Sequence, residues 1–177
     1  MKKILLVLIL AFPLLAANLQ IKNGSVAAHT QMIMDNTIDP LNNSLNADLT
    51  IQGSDITTIR GKFWVEMELF KSDNGDRDKN MYKEVESDKF KLASYTISGI
   101  TKNGENSYTI SGMLNFHGKE KPLNAQAKIV YANGALTIDA SSMILVSDFG
   151  VKMPCMVFMC VRDQVDLSIK ADFSAAL

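Results

Sequence analysis

The strongest constraint on this chain is an alternation of apolar and polar residues with a period of two, recurring along most of its length. It is clearest near the C-terminus. There Val161, Asp163, Val165, Leu167, Ile169, Ala171 and Phe173 share one face, and Arg162, Gln164, Asp166, Ser168, Lys170 and Asp172 share the other. Successive side chains of a strand point to opposite faces, so the pattern describes a strand with one buried and one wet face. Further runs are Leu45-Ala47-Leu49-Ile51, Phe63-Val65-Met67-Leu69 and Tyr108-Ile110-Gly112-Leu114-Phe116. Leu123-Ala125-Ala127-Ile129-Tyr131 and Leu136-Ile138-Ala140-Ser142-Ile144-Val146 obey the same rule, with Val26–Met34 and Phe90–Ile100 as weaker runs. The total is about eight strands.

Turn chemistry fits this reading. Asn74-Gly75, Asn103-Gly104 and Asn133-Gly134 each separate two alternating runs, and Asn-Gly supplies the positive φ angles of tight hairpins. Hairpin-joined strands form an antiparallel meander. A meander of this length exposes two edges unless it closes, so the expected fold is all-β, a single antiparallel up-and-down barrel. One stretch breaks the pattern. Asp76 to Val85 is polar, with Met81 and Val85 four residues apart. That spacing predicts a short helix across one barrel end, with Asp76 as its N-cap and Asp78 in its first turn; an ordered polar loop is the alternative.

With 177 residues and a formal net charge of −1, the chain accommodates one domain. Scattered charges of both signs give no electrostatic footprint for nucleic acid. The N-terminus reads as a signal peptide over residues 1–17. Lys2 and Lys3 precede the apolar run Ile4–Leu15, Pro13 lies near its end, and Ala16 and Ala17 come next. The run is shorter than the ~20 residues of a membrane span, although an uncleaved anchor is the competing reading. A domain over 18–177, exported to the bacterial periplasm, is the expectation.

Little in the sequence points to catalysis, and the expectation is a protein that is not an enzyme. No G-x-S-x-G nucleophile elbow occurs. The two histidines, His29 and His117, lack a metal-ligand spacing, and no metal or cofactor is expected. Glu66 and Glu68 fall on one strand face, where a solvated surface outweighs acid–base work. Trp64 and Phe70 share that outward face, which signals either a slipped register or contact with a partner, a loop or a membrane.

The segment Met153-Pro154-Cys155-Met156-Val157-Phe158-Met159-Cys160 holds both cysteines. In an oxidising compartment, Cys155 and Cys160 suggest a disulfide closed by an intervening turn. The alternative is a thiolate–thioether copper or redox site in loop 153–160.

Three segments, taken in order, resemble the YceI-like family of bacterial periplasmic proteins. They are Arg77-Asp78, then Leu114-Asn115-Phe116-His117-Gly118-Lys119-Glu120-Lys121-Pro122-Leu123, then Ser147-Asp148-Phe149-Gly150. The resemblance runs from about Ile51 to the C-terminus. It implies an extended lipocalin-like barrel that carries long isoprenoid or other amphiphilic lipid chains. His29-Thr30 is similar to the family's His-Ser in the first strand. The second histidine of that pattern is missing, and Asp35–Ser44 diverges.

An eight-stranded barrel either fills with its own side chains or holds one small ligand. Small inward residues (Ala47, Gly112, Ala125, Ala127, Ala140 and Ser142) and adaptable Met67, Met32 and Met34 favour room for a ligand. The residues expected to line it are Leu49, Val65, Met67, Ile110, Leu114, Ala127, Ile129, Ile144, Leu167 and Ile169. The expected partner is a lipid or isoprenoid-like molecule, with transient membrane contact and a homodimer as further associations. A packed module using Trp64 as a contact is the remaining alternative.

Overall fold

The computed structural model describes residues 16–32, 37–156 and 159–175. Eight long strands form a closed antiparallel barrel. They are β1 (Ala16–Gln31), β2 (Asn46–Gln52), β3 (Asp55–Glu66) and β4 (Leu92–Gly104), then β5 (Ser107–Phe116), β6 (Lys119–Ala132), β7 (Ala135–Leu145) and β8 (Gln164–Ala175). From β2 to β8 each strand pairs with the next. β1 closes the ring by pairing with β2 on one side and β8 on the other. Closure satisfies backbone groups that an open meander would leave as edges. No helix among the described residues is long and apolar enough to cross a membrane.

Because neighbouring strands alternate in direction, the connections sort to two ends. One end carries tight turns at Gly53-Ser54, Glu105-Asn106 and Asn133-Gly134. The other carries the His117-Gly118 turn and three long connections, over 32–45, 67–91 and 146–163. Asn133 and Gly134 have φ of 52° and 75°, as do His117 and Gly118 at 50° and 70°, so both pairs have the positive φ of a two-residue hairpin turn.

The other two Asn-Gly pairs behave differently from expectation. Gly104 stays in β4 opposite Ser107, and the turn falls on Glu105-Asn106, with Asn106 at φ 55°. Asn74-Gly75 is no hairpin at all. Asn74 caps helix α1 (Gly75–Glu84), its side chain accepting from the Asp76 and Arg77 amides at 3.0 and 3.1 Å. The cap is thus Asn74 rather than Asp76, because an Asn side chain satisfies the orphan amides of a first turn as readily as it permits a turn. Met81 and Val85 do pack against the barrel core.

The register slips at the end of β3. A 3-10 turn, η1 (Met67–Leu69), breaks the alternation, so Leu69 is exposed and Phe70 is buried. That resolves the outward Phe70 of the simple pattern. Trp64 stays on the outer face, half-buried, with the Lys62 ammonium 5.4 Å from its ring centre.

The weak first run belongs to a longer strand. A bulge between Ile21 and Asn23 shifts the register of β1, so the Leu19–Ile21 part of the strand is out of phase with the run that starts at Val26. Met32 forms an isolated bridge with Val161. Met34, Asp35, Val157, Phe158 and residues 1–15 of the expected 1–17 signal segment lie outside the described residues, while Ala16 and Ala17 open β1.

Candidate ligand-binding site

The two ends of the barrel are filled differently. Near the tight turns, Ile51, Ile59, Ile129, Leu136 and Ile138 are all at most 1% exposed. Each contributes roughly 1.5–3 kcal/mol by burial, and together they form a packed floor. Towards the long connections, the inward faces of β8, β7, β6 and β1 are only half-buried, at Val165, Leu167, Ile169, Ser142, Leu123 and Ala28. These residues sit on the core-facing side, since they continue the period-two rows of Phe173, Ala140, Ala125 and Val26.

All ten lining candidates face inward or pack into the core. Leu49, Val65, Met67, Ile110, Leu114, Ala127, Ile129 and Ile144 are buried, while Leu167 and Ile169 are half-buried. Leu49 and Ile129 belong with the packed floor. Leu167 and Ile169 belong to the accessible wall.

Alternation alone does not single out Tyr95. It sits opposite Leu114 and reaches across the inner surface, its hydroxyl donating to the carbonyls of Leu123 at 2.8 Å and Ile110 at 3.2 Å. Burial pushes its phenol up to about 12, so it is a neutral donor at any physiological pH. The one signal for it in the sequence is a glycine in the neighbouring strand, since Gly112 leaves the space the ring occupies.

The long connections are pinned by polar contacts. Asp78 accepts from the Ser72 amide at 2.9 Å and the Ser72 hydroxyl at 2.6 Å, fixing α1 to the chain that precedes it. Tyr82 donates to the Phe70 carbonyl at 2.5 Å. His117 bridges two connections, with Nδ1 3.1 Å from the Phe149 carbonyl and Nε2 2.8 Å from Glu86. Lys121 pairs with Asp148 at 3.1 Å. In the divergent segment, fully buried Asn42 donates to the Glu66 carbonyl at 2.9 Å and accepts from the Ser44 amide at 2.8 Å. His29 pairs with Asp39. Arg77-Asp78, the His117 turn and Ser147–Gly150 therefore meet at one end of the barrel.

Cys155 and Cys160 face each other in a two-stranded ribbon and are joined as a disulfide, with Cα atoms 4.0 Å apart. Neither sulfur is then a thiolate. Glu66 and Glu68 are exposed, and the Glu68 carboxylate accepts from the Ser87 hydroxyl at 3.3 Å.

A closed eight-stranded antiparallel barrel, packed near its tight turns and with a half-buried inner wall on β8 towards the other end, defines the class of up-and-down β-barrels. A profile of the YceI-like domain matches residues 18–173, and the chain belongs to that family. No curated protein matches it in sequence. The Burkholderia cenocepacia protein BcnA is similar in structure, with a TM-score of 0.74 and 15% identity over 84% of this chain and 95% of that one. A polyisoprenoid-binding domain from Saccharophagus degradans, implicated in plant cell wall breakdown, matches with a TM-score of 0.66 and 10% identity. That match covers 90% of this chain and 98% of the other. A Campylobacter jejuni YCEI protein matches with a TM-score of 0.66 and 15% identity over 100% and 99% of the two chains.

Proposed function

We propose that this protein is an exported, non-enzymatic carrier of a long-chain apolar or amphiphilic lipid, such as an isoprenoid, held within the barrel. The observation that carries this reading is the half-buried inner wall of Val165, Leu167 and Ile169 facing a packed floor. An apolar wall left partly accessible inside a closed barrel gains free energy from a chain laid against it, about 0.8 kcal/mol for each CH₂ removed from water. Such binding needs few polar contacts. The similarity to a domain described as polyisoprenoid-binding supports the same ligand class.

Export to the periplasm is inferred from the signal-like residues 1–17. A carrier there takes its cargo from a membrane and gives it up to another acceptor, which entails transient membrane contact. Native mass spectrometry of protein purified from its own periplasm tests the reading. A bound mass extractable as lipid is expected. Protein that carries none, and takes up none when offered chain-like lipids, would overturn it.

A further inference from the structure

The barrel wall is incomplete on one side. β6 and β7 are paired from the Asn133-Gly134 turn as far as Gln126 and Ser141, and no further. Beyond that point Lys119–Ala125 keep their β5 partners and Ser142–Leu145 keep their β8 partners. The two strands therefore splay towards the long-connection end and leave a slit. Ser142 Oγ donates to the Asn124 carbonyl at its apex, 2.8 Å away. The β6 lip carries Lys121 and Pro122, residues that blunt an unpaired strand edge. On the β7 lip, Met143 and Leu145 are 49% and 41% exposed on the outer face.

A groove of about 690 Å³ starts at this apex and runs outward over β7, β8 and β1. Ala27 and Met143 line it from the outer face, and Ala28, Ser142 and Leu167, which the alternation turns inward, border it as well. Its polar rim consists of the Asn124 and Gln126 amides, the Ser141 and Ser168 hydroxyls, and the Asp39 and Asp166 carboxylates. Among the described residues no Lys or Arg lines it. The one basic residue described there is His29, and its Nδ1 is taken up by Asp39. That hydrogen bond, ahead of every other influence, holds the Asp39 carboxyl below its ordinary range, so the rim is negative at neutral pH.

We propose that this groove holds the polar end of the lipid, that the chain passes sideways between β6 and β7 to the inner wall, and that the accepted head is an uncharged hydroxyl or carbonyl group. This rests on the lipid-carrier reading above. Amides and hydroxyls can both donate to and accept from such a head. A phosphate or carboxylate would meet two carboxylates, while Arg77, whose charge reaches Asp39, lies outside the groove lining and is engaged by Asp73 and the Thr37 carbonyl.

Farnesol and farnesyl phosphate, titrated calorimetrically into the mature protein at pH 7.5, test the proposal. Farnesol should bind at least tenfold more tightly, and Asp39→Asn combined with Asp166→Asn should narrow that preference. Ser141→Trp, on the exposed floor of the groove, should weaken farnesol at least tenfold. Asp139→Trp, on the same outer face but outside the groove, should not. Ser168→Trp fills the groove from the neighbouring strand and gives the same readout if Ser141→Trp folds poorly by circular dichroism. Equal or tighter binding of the phosphate, or a preference indifferent to the two Asn substitutions, overturns the headgroup assignment. Farnesol binding unchanged in both Trp variants overturns the groove while leaving the carrier reading intact. Binding of neither probe overturns both.

Discussion

The Tyr95 ring occupies the space that any side chain at position 112 would need. A Cβ placed on Gly112 would lie 2.6 Å from Tyr95 Cζ and 2.3 Å from the Thr96 carbonyl oxygen. Both neighbours are held in the sheet, so neither can move cheaply. Gly112→Ala should therefore destabilise the fold by about 1–3 kcal/mol, the cost of overpacking a filled interior, read from urea denaturation. Tyr95→Phe should cost about 1 kcal/mol for the lost hydrogen bonds.

The same tyrosine makes an alkaline prediction. Its phenol is raised by burial to about 12 from an ordinary value of 10.0. The folded state thus holds this proton more tightly than the unfolded state, and the associated stability is present below pH 10. It is lost as pH rises from 10 towards 12. Tyr95→Phe should flatten that part of the stability profile, measured by denaturant melts across the range.

Strand faces were legible in the sequence because one-sided burial imposes a period of two, and Leu49, Ile110, Ala127 and Leu167 all lie on the expected side. Features that depend on backbone conformation were not. Asn-Gly marks φ freedom at Asn133-Gly134, yet the same dipeptide starts a helix at Asn74-Gly75. The residues just downstream make the difference: at Asn74-Gly75 they are a polar run able to sustain i to i+4 hydrogen bonding, not a second strand. The Ile21/Asn23 bulge and the η1 turn before Phe70 each shift a register without any residue that announces it. The β6–β7 slit did leave a trace, Lys121-Pro122 within an otherwise alternating strand.

His117 joins the α1 connection to the 146–151 turn through Glu86 and the Phe149 carbonyl, and it does so from a left-handed backbone position. His117→Asn retains tolerance of positive φ but cannot span both partners. It should lose about 1–2 kcal/mol, and hydrogen exchange should accelerate at Glu86–Phe90 and Ser147–Val151 while the tight-turn end stays protected.

Cys155 and Cys160 close a short loop, so their bond should stabilise the chain by on the order of 2 kcal/mol. Denatured, unreduced protein should show no free thiol, and reduction should lower the melting temperature only slightly. The copper reading of loop 153–160 needs thiolate donors, which the disulfide removes. Oxidised protein should therefore take up no stoichiometric Cu(I). Stoichiometric copper on protein with two free thiols would transfer the function to that loop.

Ala127 offers the most direct test of what fills the barrel. It faces inward between Tyr108 and Ala140, and Ala140 in turn pairs with half-buried Ile169. A tryptophan at 127 would project along this lane of small side chains towards the accessible wall. Lys128, one residue on, points outward and pairs with Asp139 across the sheet. If a chain-like lipid normally occupies the lane, Ala127→Trp should remain folded, with a loss smaller than the roughly 1–3 kcal/mol of overpacking, and should fail to retain the lipid that the wild type carries. Lys128→Ala should change neither stability nor lipid content. A barrel packed only with its own side chains gives the opposite result: Ala127→Trp is strongly destabilised, and neither protein carries lipid. Calorimetric melting together with lipid extraction from the same preparations separates the two. Retention of lipid by Ala127→Trp at the wild-type level would move the ligand away from this lane.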